Sequence, residues 1–120
     1  MLEPALAAGA LLDATVVNMR FVKPLDAALV LDVAARHDLV VTVEENVVAG
    51  GAGSGVAELL AAHASAADIL HLGLPDRFVD HGDQSQLLAS VGLDATAITR
   101  AITERVYLVR PTPILAHRRA

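Results

Sequence analysis

Apolar positions along the chain alternate between two rhythms. "EPALAAGALLDA" (Glu3–Ala14) is a run of good helix formers with Pro4 placed for a first turn, so a helix is expected there. "TVVNM" (Thr15–Met19) is short and β-branched and reads as a strand. After the loop "RFVKPLD", with Asp26 as a helix cap, Leu25, Leu29 and Val33 fall on one helical line beside Ala28, Leu31 and Ala35. "DLVVTVEE" (Asp38–Glu45) is a second strand, followed by a glycine-dense loop and a helix expected from about Ser54 to Ala64, capped by Ser54. "DILHLGL" (Asp68–Leu74) is a third strand. Asp83 and Gln86 have capping-box spacing, and Gly92 suits the end of the short helix they open. A last helix spans "LDATAITRAITERV" (Leu93–Val106), burying Ile98 and Ile102, and "VYLVR" (Val106–Arg110) is a candidate fourth strand. "RPTP" forbids helix beyond it.

Strands alternating with helices, and apolar on both faces, predict an α/β fold: an open, mostly parallel sheet in three layers. The chain opens inside a helix where such domains open with a strand. The expected sheet is therefore one strand short.

Composition narrows the function. The 120 residues make one domain, 54% hydrophobic, with a net charge of −5 and 2% aromatics. A negative, aromatic-poor chain suits neither a phosphate backbone nor stacked bases. The absence of cysteine excludes disulfides, thiolate metal sites and cysteine nucleophiles. No stretch reaches the ~20 apolar residues of a membrane span. These features predict a soluble, cytoplasmic protein.

The expected strand ends carry Arg20 and Lys23, then Glu44, Glu45 and Asn46, then Asp76 and Arg77, gathering both charges at the rim where open parallel sheets bind ligands. The chemical motifs nonetheless fail. Gly51-x-Gly53 is followed by Val56 where a dinucleotide fingerprint needs glycine, and no lysine follows the glycines as in a phosphate loop. Ser54 lacks the leading glycine of a nucleophile elbow, because position 52 is Ala52. Glu44 and Glu45 are adjacent on a strand and point to opposite faces, so they make no dyad; one is expected to pair with Arg20 or Arg77. The five histidines show no metal-pair spacing. Gly50, Gly51 and Gly53 read first as a tight turn with close backbone contact, and second as an amide cradle for an anion.

"VVNMRFVKPLD", "HDLVVTVEENVVAGGAGSGV" and "LHLGLPDRFVDHGDQSQLLASVGLDA", in this order, resemble the C-terminal domain of the 1-deoxy-D-xylulose-5-phosphate synthase family over roughly Met1–Val106. The "VEEN…GGAGSGV" portion is shared more loosely with transketolase and 2-oxoacid dehydrogenase β subunits. The resemblance implies a transketolase C-terminal-like domain over 1–106, truncated at its N-terminus, and a strand or tail over 107–120. It implies a fragment of a transferase that uses thiamine diphosphate and magnesium to condense pyruvate with glyceraldehyde 3-phosphate, feeding isoprenoid and thiamine biosynthesis. In that family the coenzyme and metal motif, the catalytic glutamate and the phosphate-binding arginines lie outside this domain. No catalytic, cofactor-binding or metal residue is therefore assigned here, and the chain alone is expected to be inactive. The partners implied are the remaining synthase domains and a homodimer mate, with Arg20, Glu44, Glu45, Asn46, Gly50, Gly51, Gly53 and Ser54 as contact candidates. The alternatives are a stand-alone module binding a small anion or nucleotide, and one half of a split enzyme. The missing strand predicts marginal stability or self-association that covers the gap.

Overall fold

The computed structural model of the chain describes residues 1–109, the side chain of Val109 excepted. Helix α1 (Leu2–Leu12) comes first, then α2 (Ala27–Ala35), strand β1 (Leu39–Val47), α3 (Ala52–Ala62), β2 (Asp68–Leu74), α4 (Gln84–Ser90) and α5 (Ala95–Val109). The local signals act as read. Asp26 Oδ1 accepts the Leu29 N–H at 3.1 Å and opens α2. Asp83 Oδ1 accepts the Gln86 N–H at 3.1 Å and opens α4, and Gly92 leaves it with φ +82°.

β1 and β2 pair in parallel, Leu39 opposite Asp68 through Val43 opposite Leu72, with an irregularity before Val47 meets Leu74. Side chains alternate between faces, so Val40, Thr42, Glu44, Ile69, His71 and Gly73 share one face. That face carries α3 backed by α2, around a buried cluster of Ala34, Val56 and Leu60. α5, backed by α1, contacts both strands, and Ala8, Leu93 and Ile98 are buried in this second layer. The result is the expected open, three-layer α/β arrangement around a smaller sheet.

Two strand expectations are corrected. Thr15–Met19 has no regular secondary structure, and no ladder joins it to the sheet among the described residues. β-branching favours extension; a ladder also needs a strand alongside, and among the described residues none pairs with Thr15–Met19. Val106–Val109 continues α5 as helix rather than forming a fourth strand. Arg110 and the "RPTP" segment lie outside the described residues.

Asp68 fastens the second layer to the sheet. Arg105 on α5 donates from Nε to Asp68 Oδ2 at 2.5 Å and from an Nη to Asp68 Oδ1 at 2.7 Å. This two-pronged bond holds the Asp68 carboxyl below the usual carboxylate range. A carboxyl whose folded value is lowered adds stability above its unfolded value, about 4, and loses it as pH falls through the folded one. The Arg105→Met variant should therefore melt below the parent at pH 7, and the difference should vanish as pH drops through the acid range. Parallel melting curves down to acid pH check this.

Candidate functional site

β1 delivers two acids at its carboxyl end, and the pleat sends them to opposite faces as expected. The consequence is not an ion pair with Arg20 or Arg77. Glu44 turns toward α3, where Oε2 accepts the Ala52 N–H at 2.7 Å and Oε1 accepts the Gly53 N–H at 3.1 Å. These are amides of the first turn of α3, which have no partner inside the helix. The carboxylate also meets the positive end of the helix dipole. Glu45, on the exposed side, accepts a hydrogen bond from Gln84 Nε2 at 2.7 Å.

Ser54 is not the cap. α3 starts at Ala52 behind Gly51, which places Ser54 inside the first turn, with Oγ donating back to the Gly51 carbonyl at 2.6 Å. The carboxylate that does the capping comes from another element, so a local search for a cap residue finds the wrong one.

The glycines are the space that Glu44 occupies. A Cβ on Gly51 would overlap the Glu44 carboxylate and stand 2.5 Å from the Val47 carbonyl oxygen. A Cβ on Gly53 would stand 2.5 Å from Thr42 Oγ1, 2.7 Å from His71 Nδ1 and 3.1 Å from Glu44 Oε1. Both glycines are buried. Gly50 is exposed and turns the chain at φ +74°. Beneath Gly53, Thr42 Oγ1 and His71 Nδ1 are hydrogen-bonded across the strands at 2.6 Å. No local pattern in the sequence marks this pair. Only the register, which sets Thr42 opposite His71, identifies it.

The other candidates do not converge. Arg20 and Arg77 are exposed, and the ion pairs seen lie elsewhere, at Arg36–Asp32 and Arg105–Asp68. Asn46 is exposed, and its carbonyl oxygen lies against Gly73, where a Cβ would come within 2.8 Å. His37 and His63 each place Nδ1 by a helical carbonyl, at 2.8 and 2.9 Å.

Thiamine diphosphate and magnesium would need a set of oxygen ligands and free anion-binding amides. Among the described residues no three His, Asp or Glu side chains gather as a cation site, and the amides that begin α3 are held by Glu44. The described residues do not fit the coenzyme, and the amide cradle weighed for a small anion is filled from within.

Glu44→Ala should cost about 2 kcal/mol, the scale of a charge-assisted hydrogen bond lost with buried amides left unpaired. Glu45→Ala should stay within about 0.5 kcal/mol, as expected at an exposed position. Urea denaturation of the two variants beside the parent measures both. Equal losses would remove the distinction drawn between the two acids.

The model of the transketolase C-terminal domain matches residues 1–98. A 1-deoxy-D-xylulose-5-phosphate synthase of Ralstonia nicotianae is 61% identical over 114 residues, 95% of this chain but 18% of its own. The synthase of Azoarcus sp. is 63% identical over 107 residues, 89% of this chain and 17% of its own. The chain thus spans under a fifth of these relatives. Among solved structures, a split-gene transketolase in an inactive β4 tetramer superposes with a TM-score of 0.76 at 32% identity, over 91% of this chain and 36% of that one. A domain match over residues 1–98 and a fold shared with a transketolase make the chain a member of the transketolase C-terminal domain family.

Proposed function

We propose that the chain serves as the C-terminal domain of a cytoplasmic 1-deoxy-D-xylulose-5-phosphate synthase, the transferase that joins pyruvate to glyceraldehyde 3-phosphate with loss of carbon dioxide. In that enzyme thiamine diphosphate and magnesium are held by other parts of the polypeptide, and the product feeds isoprenoid and thiamine synthesis. The work of this chain, over about residues 1–106, is to pack against the remaining domains and to support the homodimer.

The observation that carries the reading is 61% identity across 95% of the chain to a synthase of which it spans 18%. The rim supports it. Arg20, Glu45, Asn46 and Gly50 are exposed at or beyond the ends of the extended segments, open to a neighbouring surface. Glu44, Gly51, Gly53 and Ser54 are engaged within the domain and shape that rim rather than meet a partner directly. Phe21 and Phe78, the two phenylalanines of the chain, both stand exposed in rim loops, Phe78 completely. Exposed aromatics beside charged residues are a usual make-up of interface anchors. The split-gene transketolase neighbour, an inactive β4 tetramer, supports the idea that a part of such an enzyme associates without turnover.

The purified chain should therefore form no product from pyruvate and glyceraldehyde 3-phosphate with thiamine diphosphate and magnesium present. It should co-purify with the remainder of the Ralstonia synthase when the two are co-expressed. Phe78→Ser should weaken that co-purification several-fold while leaving the melting temperature of the chain unchanged. Turnover by the chain alone, or indifference of the co-purification to Phe78, would contradict the reading.

A further inference from the structure

Two exposed loops carry the same Phe-Val pair in opposite charge settings. The first, residues 20–24, reads Arg20-Phe21-Val22-Lys23-Pro24; the second, residues 75–83, contains Asp76-Arg77-Phe78-Val79-Asp80. Phe21 and Val22 are 67% and 52% exposed, and Phe78 is wholly exposed. Arg20, Lys23, Asp76, Arg77 and Asp80 are exposed as well, and among the described residues none of them joins an ion pair. The first loop holds two cations and no acid, and Asp26 just beyond it is occupied by the Leu29 N–H. The second holds Asp76, Asp80 and Asp83 against the single cation Arg77, with His81 among them. Asp83 is taken up in opening α4, which leaves Asp76 and Asp80 facing outward.

Topology sets both loops on one side of the sheet. The chain enters the second loop from the carboxyl end of β2. α2 ends at Ala35, just ahead of Leu39 at the start of β1, and Ala34 belongs to the cluster against which Val40 packs. α2 therefore runs back against the strands and begins at their carboxyl end, where the first loop leads into it.

A rim that carries a basic apolar loop and an acidic apolar loop is complementary to itself. A partner of one sign would be repelled by one of the two loops, whereas a second copy suits both. Turned about a two-fold axis, the same patch meets itself, and the contact closes at two members.

We infer that the carboxyl rim pairs with a second copy of this chain, the 20–24 loop of each copy seated on the 76–80 loop of the other. The inference rests on the proposed support of a homodimer and names the residues that provide it. A buried phenylalanine contributes about 200 Å². Phe21 and Phe78 of both copies together bury ~800 Å², below the ~1,200 Å² at which standard interfaces begin. The isolated chain therefore pairs weakly, and pairing is read at high concentration. Paired copies also offer two faces to a dimeric remainder of the enzyme, so losing Phe78 weakens that co-purification through lost bivalency.

Sedimentation equilibrium of the full chain over a wide concentration range reads the dissociation constant. Reversing the basic loop, with Arg20→Glu and Lys23→Glu together, should raise it about tenfold, because like charges then face each other. Reversing the acidic loop, with Asp76→Lys and Asp80→Lys together, should do the same. Mixed in equal amounts, the two reversed chains again oppose unlike charges at both contacts, and the mixture should pair within about threefold of the parent. That recovery also shows both variants to be folded. A parent that stays monomeric would overturn the inference. So would reversed chains that pair as the parent does, or a mixture that pairs no better than its components. Should a monomeric chain still bind the remainder of the Ralstonia synthase, the domain reading survives that failure. Should the chain pair as expected and ignore the remainder, the domain reading falls and the pairing stands.

Discussion

The carboxylate of Glu44 bonded to the amides of Ala52 and Gly53 is the constraint on which the carboxyl rim is built. A helix start behind a parallel strand is a place where such folds hold phosphate, because its amides are unpaired and its dipole favours negative charge. Here the strand supplies its own anion. The glycines that resemble a ligand loop are the consequence. Gly51 and Gly53 are where a carboxylate and a strand come too close for any side chain. The same stretch that looks chemical in sequence is a packing solution in space, and it leaves Glu45, Asn46 and Arg20 as the outward-facing groups.

The two helical layers are held to the sheet by different means. α3 and α2 rest on a small apolar cluster and on the Glu44 cap, over the Thr42–His71 hydrogen bond that joins the two strands. α5 relies on Leu93, Ile98 and the Arg105–Asp68 pair at the start of β2. A cleft of about 1140 Å³ is lined by β1 together with residues of α2, α3 and α5.

Much of this was legible in the residues. Period and capping signals placed α2, β1, β2 and α4, because Asp26, Asp83 and Gly92 act through their own neighbours along the chain. The family resemblance carried by "VEENVVAGGAGSGV" also held. What escaped depends on distant partners. Ser54 is a better local cap than Glu44, and only the close approach of β1 to α3 reverses that order. Thr15–Met19 has the composition of a strand but, among the described residues, no strand that pairs with it. Val106–Val109 is β-prone in isolation, yet it follows three turns of established helix that simply continue. The Arg105–Asp68 pair joins residues 37 apart, and no local pattern announces it.

The internal cap is tested most directly by nuclear magnetic resonance of the amide groups of Ala52 and Gly53 during titration with inorganic diphosphate. With the Glu44 carboxylate on those amides, their resonances should stay fixed as the anion is added at neutral pH and constant ionic strength. A saturable movement of both, at diphosphate levels that leave other helix starts unaffected, would show the amides open to a ligand and contradict the account.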